Sequence, residues 1–254
     1  MNVFVYDRTF EGLLTVVFEA YVRKTFPDLL LGEGEVLPLF YDVKVEVLTD
    51  KGRADRVWQG LQRKLSPLGL GVLTTAWLSE LPEADLLLLR YMRRALDALG
   101  NVEWDFGNED VLRATQLAKK VSQEAHRLNQ FLRFQKAADG TYFAAVEPLY
   151  DVLSLSVRYL RDRFADQVWL VYDLKREYGY YYDGKEVREV RFEHLAAHLQ
   201  TGKLDETLMD KDERMFQEMW KAYFHAISIK ERANPRLHRR NLPVRFWKHL
   251  PEKN

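Results

Sequence analysis

The fold class follows from residues 108–148, NEDVLRATQLAKKVSQEAHRLNQFLRFQKAADGTYFAAVEP, in which the apolar spacing changes partway along. Up to about residue 133, apolar side chains recur every three to four residues, which is the period of an amphipathic helix. After that point they alternate, and Asp139-Gly140 interrupts the alternation as a hairpin turn would. A helix that runs into an antiparallel hairpin predicts a mixed α+β fold.

The helix in this stretch has an apolar face and a basic face. Asn108 is suited to cap its N-terminus. At about 100° per residue, the apolar side chains gather on one side: Ala114, Leu117, Val121, Ala125, Leu128 and Leu132. The opposite face carries Arg113, Gln116, Lys119, Lys120, Gln123, His126, Arg127, Gln130 and Arg133. Such a face suits phosphate contacts, and it also suits docking on an acidic patch of the chain itself or of a partner.

Around this stretch the chain is expected to comprise three parts that together form one compact unit. Residues 1–107 are mainly helical with two short strands, at 3–7 and 43–48, and the helices break at Ser66-Pro67 and Pro82. Residues 108–200 hold the basic helix and an antiparallel sheet of about five strands. Residues 201–254 form a helix and a basic arm, and the helix is expected to turn Met215, Met219, Trp220, Tyr223 and Ile227 inward.

Composition excludes several classes of protein. The chain has no cysteine, so disulfides, thiolate zinc sites and cysteine-held iron–sulfur clusters are excluded. No apolar run is long enough to span a membrane. The N-terminus, MNVFVYDRTF, does not read as a signal peptide, so the cytoplasm is the expected location.

Charge is segregated along the chain although its net charge is zero. Residues 230–254 hold eight basic and two acidic side chains, so the rest of the chain carries the opposite net charge of −6. Pro235, Pro243 and Pro251 prevent a long helix, which predicts an extended or turned arm. We expect Phe246 and Trp247 to pin this arm to the body. Its outward-facing cations would be Arg236, Arg239, Arg240 and Arg245.

Candidates for chemistry are few. Asp173 and Glu147 stand at expected strand ends, where catalytic acids occur, although aspartates that cap turns are commoner there. His194 and His198 have the spacing of two metal ligands on one helix face, but no third ligand follows, so no metal site and no cofactor is expected. The chain lacks the motifs of serine nucleophiles and phosphate-binding loops.

Four blocks of the sequence resemble a bacterial family of unknown function that is associated with DNA repair and DNA metabolism. The blocks are FVYDRTFEGLLTVVFEAY (4–21), KKVSQEAHRLNQFLRFQ (119–135), WLVYDLKREYGYYYD (169–183) and IKERANPRLHRRNLPVRFWKHLPE (229–252). The resemblance implies a radical SAM protein as partner. In some bacteria a related domain is fused to a uracil-DNA-glycosylase-like domain. The resemblance brings no catalytic residues with it.

Three functions stay open at this point. The first is a DNA-binding accessory partner of a radical SAM enzyme, holding DNA through the helix face and the arm. Its binding residues would be Arg113, Lys120, Arg127, Arg133, Arg236, Arg239, Arg240, Arg245 and Trp247. The second is a glycosylase- or nuclease-like enzyme using Asp173 or Glu147. The third is a protein-interaction subunit that makes no DNA contact.

Overall fold

The computed structural model describes residues 1–192, 204, 207–227 and 234–253, and it divides into two compact units, Met1–Ser122 and Gln123–Asn254. Both units combine helices with a β-sheet, which confirms the α+β class. In the described part of the chain no helix is long and apolar enough to cross a membrane.

The first unit is built on a three-stranded parallel sheet of order β2-β1-β3. The strands are β1 (Asn2–Tyr6), β2 (Leu29–Gly32) and β3 (Val43–Glu46). Its helices are α1 (Phe10–Arg23), α2 (Lys51–Lys64), α3 (Pro67–Trp77) and α4 (Ala84–Asp97). The sequence predicted β1 and β3 but missed β2, because its Leu-Leu-Leu-Gly run does not alternate.

Local capping explains where these helices begin and end. The Thr9 side chain accepts the N–H of Gly12 at the start of α1. Lys24 ends that helix with a left-handed φ of 54° and donates its N–H to carbonyls of the last turn. Ser66 caps α3 and Pro67 occupies its first turn, so the predicted break is confirmed. The apolar side of α1, with Leu13 and Val17, lies in the core of this unit.

Helix α5 (Glu109–Phe131) begins in the first unit and ends in the second. The Asn108 side chain accepts the N–H groups of Asp110 and Val111, which confirms the predicted cap. The predicted inner face is confirmed as well, since Ala114, Leu117, Val121, Ala125 and Leu128 are all buried.

The second unit holds a five-stranded sheet of order β4-β5-β6-β7-β8. Its strands are β4 (Gln135–Lys136), β5 (Tyr142–Val146), β6 (Trp169–Asp173), β7 (Tyr178–Tyr182) and β8 (Val187–Val190). The predicted turns contain Gly140 and Gly184, whose φ angles of 88° and 90° require glycine. One pair departs from the antiparallel expectation: β5 and β6 are parallel, because α6 (Leu153–Arg163) carries the chain back between them.

The C-terminal elements differ from expectation in two respects. Helix α7 (Glu213–Ile227) forms where predicted, but its supposed inner face is exposed: Met215, Met219, Trp220, Tyr223 and Ile227. Periodicity establishes that a helix has an apolar face and does not establish what covers it. The arm is not extended either, since it contains α8 (Pro235–Asn241) and two 3-10 turns, Val244–His249 and Pro251–Lys253. Its prolines shorten these helices without abolishing them.

Candidate nucleic-acid interface

Helix α8 carries three arginines of the C-terminal arm. The Asn234 side chain accepts the N–H of Leu237, and Pro235 occupies the first turn, where a missing N–H costs nothing. Arg236 and Arg240 are one turn apart, with Arg239 beside them, so the three cations share a side of the helix. All three side chains are exposed.

The segment after α8 is fixed by apolar packing, as the sequence predicted. Phe246 and Leu250 are buried together with Leu242, and the Phe246 ring lies 5.8 Å from that of Phe131 at the end of α5. The Trp247 indole donates its N–H to the carbonyl of Leu242. The same indole stacks on the His238 ring at 5.9 Å. Trp247 therefore acts as an anchor of the arm in this conformation.

Arg245 is partly exposed, as expected of an outward-facing residue, but its guanidinium is already engaged within the second unit. It forms an ion pair with Glu124 of α5, whose carboxylate is almost completely buried. Glu124 also accepts the N–H of Leu149 at 3.0 Å and lies 3.6 Å from the guanidinium of Arg127. The charge pattern of the helix did not single out Glu124. Its place among the core-facing positions Val121, Ala125 and Leu128 was the signal for a buried partner.

Arg133 is likewise engaged within the second unit. Its guanidinium donates to Glu252 at 3.0 Å, and the other oxygen of that carboxylate accepts the indole N–H of Trp220 at 3.0 Å. The Arg133 guanidinium also lies over the Trp220 ring, 5.6 Å from its centre. Like Arg245, this arginine holds the C-terminal segment in place.

An open groove of about 580 Å³ remains between α5 and α8. Gln123, His126, Arg127 and Gln130 line it from α5, and Arg240 lines it from α8. His126 and Gln130 are joined by a hydrogen bond of 2.9 Å, which fixes both side chains on the groove side of α5. The outer face of the C-terminal part of α5, from Gln123 onward, and the basic arm thus line one groove of the second unit.

The cations of this surface differ in whether they already have a partner. Within the described residues, Arg236, Arg239 and Arg240 form no ion pair, whereas Arg127 has Glu124 nearby. Arg113 and Lys120, the other two predicted binding residues, are exposed positions of α5 in the first unit. Arg113 lies 3.6 Å from Glu109, one turn earlier.

The two candidate catalytic carboxylates are held by neighbouring groups. Asp173 is completely buried; it accepts the N–H groups of Lys175 and Arg176 and pairs with the Arg176 guanidinium at 2.8 Å. Burial raises the pKa of Asp173 above its usual value, although Arg176 opposes the shift. These contacts are those of an aspartate that closes the β6–β7 turn. Glu147 forms an ion pair with Lys248.

A second set of charged groups stands at the end of β1 in the first unit. Asp85 is buried and accepts hydrogen bonds from the Tyr6 hydroxyl and the Arg8 guanidinium, and Arg8 also binds Glu35 through two nitrogens. Burial raises the pKa of Asp85. Arg8 has a left-handed φ of 54°. Every charge in this set has an opposite partner, so it joins β1 to α4 and to the turn after β2.

Among the described residues, no group of three or more His, Asp or Glu side chains is placed to hold a metal ion. The pair considered for that role, His194 and His198, lies outside the described residues.

Comparison with models of protein families shows to which family the chain belongs. Residues 82–252 match the model of a family described as a domain of unknown function, DUF4130, and the chain belongs to this family. The match covers α4, α5 and the whole second sheet. No curated protein and no solved structure matches the chain.

Proposed function

We propose that this chain is a DNA-binding accessory protein that holds the phosphate backbone in the groove between α5 and α8. One observation carries the proposal: cations and amides from two distant segments of the chain line the same open groove. Charges that serve only to keep a surface hydrated do not have to line a common groove, because water can hydrate each of them separately.

The side chains of the groove suit phosphate chemistry. Arg240 lines the groove, and Arg236 and Arg239 lie on the same side of α8. None of the three forms an ion pair within the described residues, so their guanidinium groups have donors to offer. Arginine binds phosphate oxygens through two parallel hydrogen bonds. Gln123 and Gln130 add neutral donors of the kind that position a backbone without reading sequence. Arg127 is the one cation of the groove that is also drawn to an internal acid.

The same geometry removes some residues from the expected binding set. Arg245 and Arg133 are ion-paired within the second unit, and the Trp247 indole is stacked and hydrogen bonded. In our proposal these three residues position the arm, and the groove cations bind DNA.

A radical SAM protein as partner belongs to the proposal too. Its support is the family resemblance of the four sequence blocks, together with the absence of cysteine, which leaves the iron–sulfur cluster to another chain. Co-elution of the two purified proteins in size-exclusion chromatography is the expected result, and separate elution at micromolar concentrations would remove this part.

DNA binding is measured by fluorescence anisotropy with labelled single- and double-stranded oligonucleotides. If three or four phosphates are contacted, affinity falls by about 40- to 150-fold between 50 and 200 mM salt. The double variant Arg239→Ala/Arg240→Ala is expected to bind more weakly and to reduce the slope of log affinity against log salt by about two.

The matched control is Arg158→Ala, which removes a highly exposed arginine of α6 in the same unit. It is expected to leave both affinity and slope unchanged. The DNA proposal fails if the full chain does not bind either oligonucleotide at low salt, or if the control weakens binding as much as the double variant. Loss of partner binding in the double variant, without any DNA binding, would instead identify the groove as a protein interface.

A further inference from the structure

Two adjoining grooves lie in the first unit, away from the residues considered so far. The narrower one, of about 350 Å³, is bounded by β2, the start of α4 and the first turns of α5. The wider one, of about 620 Å³, continues along α4. Arg90 and Asp110 line both, so the two grooves form one continuous depression that we call the α4 groove.

The narrow half of the α4 groove is mainly apolar. Leu29 of β2 and Leu86 and Leu87 of α4 form most of its walls, with Pro82 and Glu83 just before α4 at one end. Its volume lies within the range of about 300–1,000 Å³ that is usual for small-molecule sites. Walls formed mainly by leucine and proline are suited to the faces of a flat ring, and the few polar groups at the margin can bind its edge.

The wide half of the α4 groove is lined by three arginines, of which two form ion pairs with other residues of the chain. Arg93 lies 3.6 Å from Asp97 and stacks on Phe26, and Arg94 binds Asp105 at 2.6 Å. Arg90 has no ion-pair partner within the described residues. Among the arginines of the wide half, Arg90 is therefore available to bind an anion.

Asp110 stands where the two halves meet. Like Arg90, it forms no ion pair in the described part of the chain, although both line the groove. A carboxylate and a guanidinium that line one groove without pairing suit a ligand that has both an N–H donor and an anionic group.

We propose that the α4 groove binds a nucleoside monophosphate. The base occupies the leucine-lined half, its amino group donates to Asp110, and the phosphate binds Arg90 in the wide half. Arg113, which lines the narrow half and is held only loosely by Glu109 at 3.6 Å, supplies a guanidinium plane at the base. This site is independent of the proposed DNA groove of the second unit.

The test is isothermal titration of the full chain with the four deoxynucleoside monophosphates, deoxyribose 5-phosphate and inorganic phosphate. The nucleotides with an exocyclic amino group, dAMP, dCMP and dGMP, are expected to bind more tightly than dTMP and the two base-free probes. Arg90→Ala is expected to weaken nucleotide binding by about tenfold, because it removes a charge-assisted contact to phosphate. Asp110→Asn is expected to reduce the preference for dCMP over dTMP.

The matched control is Arg63→Ala, which removes an exposed arginine of α2 in the same unit. It is expected to bind nucleotides like the wild type, and circular dichroism checks that each variant is folded. The double variant Arg239→Ala/Arg240→Ala is expected to keep nucleotide binding, which separates this proposal from DNA binding. The proposal is overturned if no nucleotide binds, if inorganic phosphate binds as tightly as dCMP, or if Arg90→Ala behaves like the control.

Discussion

The buried carboxylate of Glu124 accepts hydrogen bonds from the guanidinium of Arg245, which lies 121 residues further along the chain. This ion pair joins the C-terminal half of α5 to the segment that follows α8. The same carboxylate also accepts the N–H of Leu149. A single acidic side chain therefore links α5, the segment after β5 and the segment after α8.

Glu124→Gln is expected to lower the free energy of unfolding by about 1–3 kcal/mol, because Arg245 and Arg127 lose their charged partner while the amide still accepts from Leu149. The cost stays below that of breaking a fully buried pair, since the Arg245 side chain is 36% exposed and can reach water. Urea unfolding measures the change. Glu218→Gln, which affects an exposed pair with Lys221, serves as control and should shift the midpoint little.

Asp173→Asn is expected to destabilise the second unit by about 2 kcal/mol or more, because Arg176 is left without its carboxylate in a buried site. Glu147→Gln should cost less than about 1 kcal/mol, since the Glu147–Lys248 pair is partly exposed. Chemical denaturation compares the two variants. A fully stable Asp173→Asn protein would contradict the turn-closing role of Asp173 and would favour a catalytic role.

The stability of the second unit should depend on pH through His238. Burial, with a smaller contribution from Lys253, lowers the pKa of His238 below its usual value of about 6.5. At a pH between the lowered pKa of the folded chain and the usual pKa of the unfolded chain, the unfolded chain binds more protons than the folded one. The contribution of His238 to stability is therefore fully present above about pH 6.5 and is lost as the pH falls toward the pKa of the folded chain. Unfolding measured from pH 7.5 to 5.5 should show this slope, and His238→Gln should flatten it.

Gly179→Ala is expected to cost at least about 2 kcal/mol, because a methyl group on β7 would collide with the backbone of Val171 and with Tyr172 on β6. The collision involves a carbonyl oxygen of the neighbouring strand, which has no room to retreat. Thermal unfolding measures the loss. Gly71→Ala provides the opposite case: it lies inside α3 with open space around it, so alanine should stabilise the first unit by up to about 1 kcal/mol.

Local signals in the sequence were sufficient for most elements. Helices with caps such as Thr9, Ser66 and Asn108 begin where their side chains can accept N–H groups, and the turns at Gly140 and Gly184 follow from glycine chemistry. The pinning of the arm by Phe246 was also predictable, since large apolar side chains are costly to leave in water.

Long-range relations were not predictable in the same way. The alternation of β5 and β6 is the same whether the two strands run parallel or antiparallel, so sequence could not tell which. The Arg245–Glu124 pair depends on how two distant segments meet, and charge counting alone assigned that arginine to the surface. The groove between α5 and α8 was not predictable for the same reason, because it forms only where residues of the two helices come together.

The parallel pairing of β5 with β6 has a consequence for how the second sheet is assembled during synthesis. Strands β6, β7 and β8 are joined by short turns and can pair as soon as they are made. The β4–β5 hairpin is made first but is a two-stranded ribbon, which is marginal in water. Until α6 and β6 have been translated, β5 presents Phe143, Ala144 and Ala145 on an open edge. A nascent chain stalled at this stage would be prone to pair with other chains.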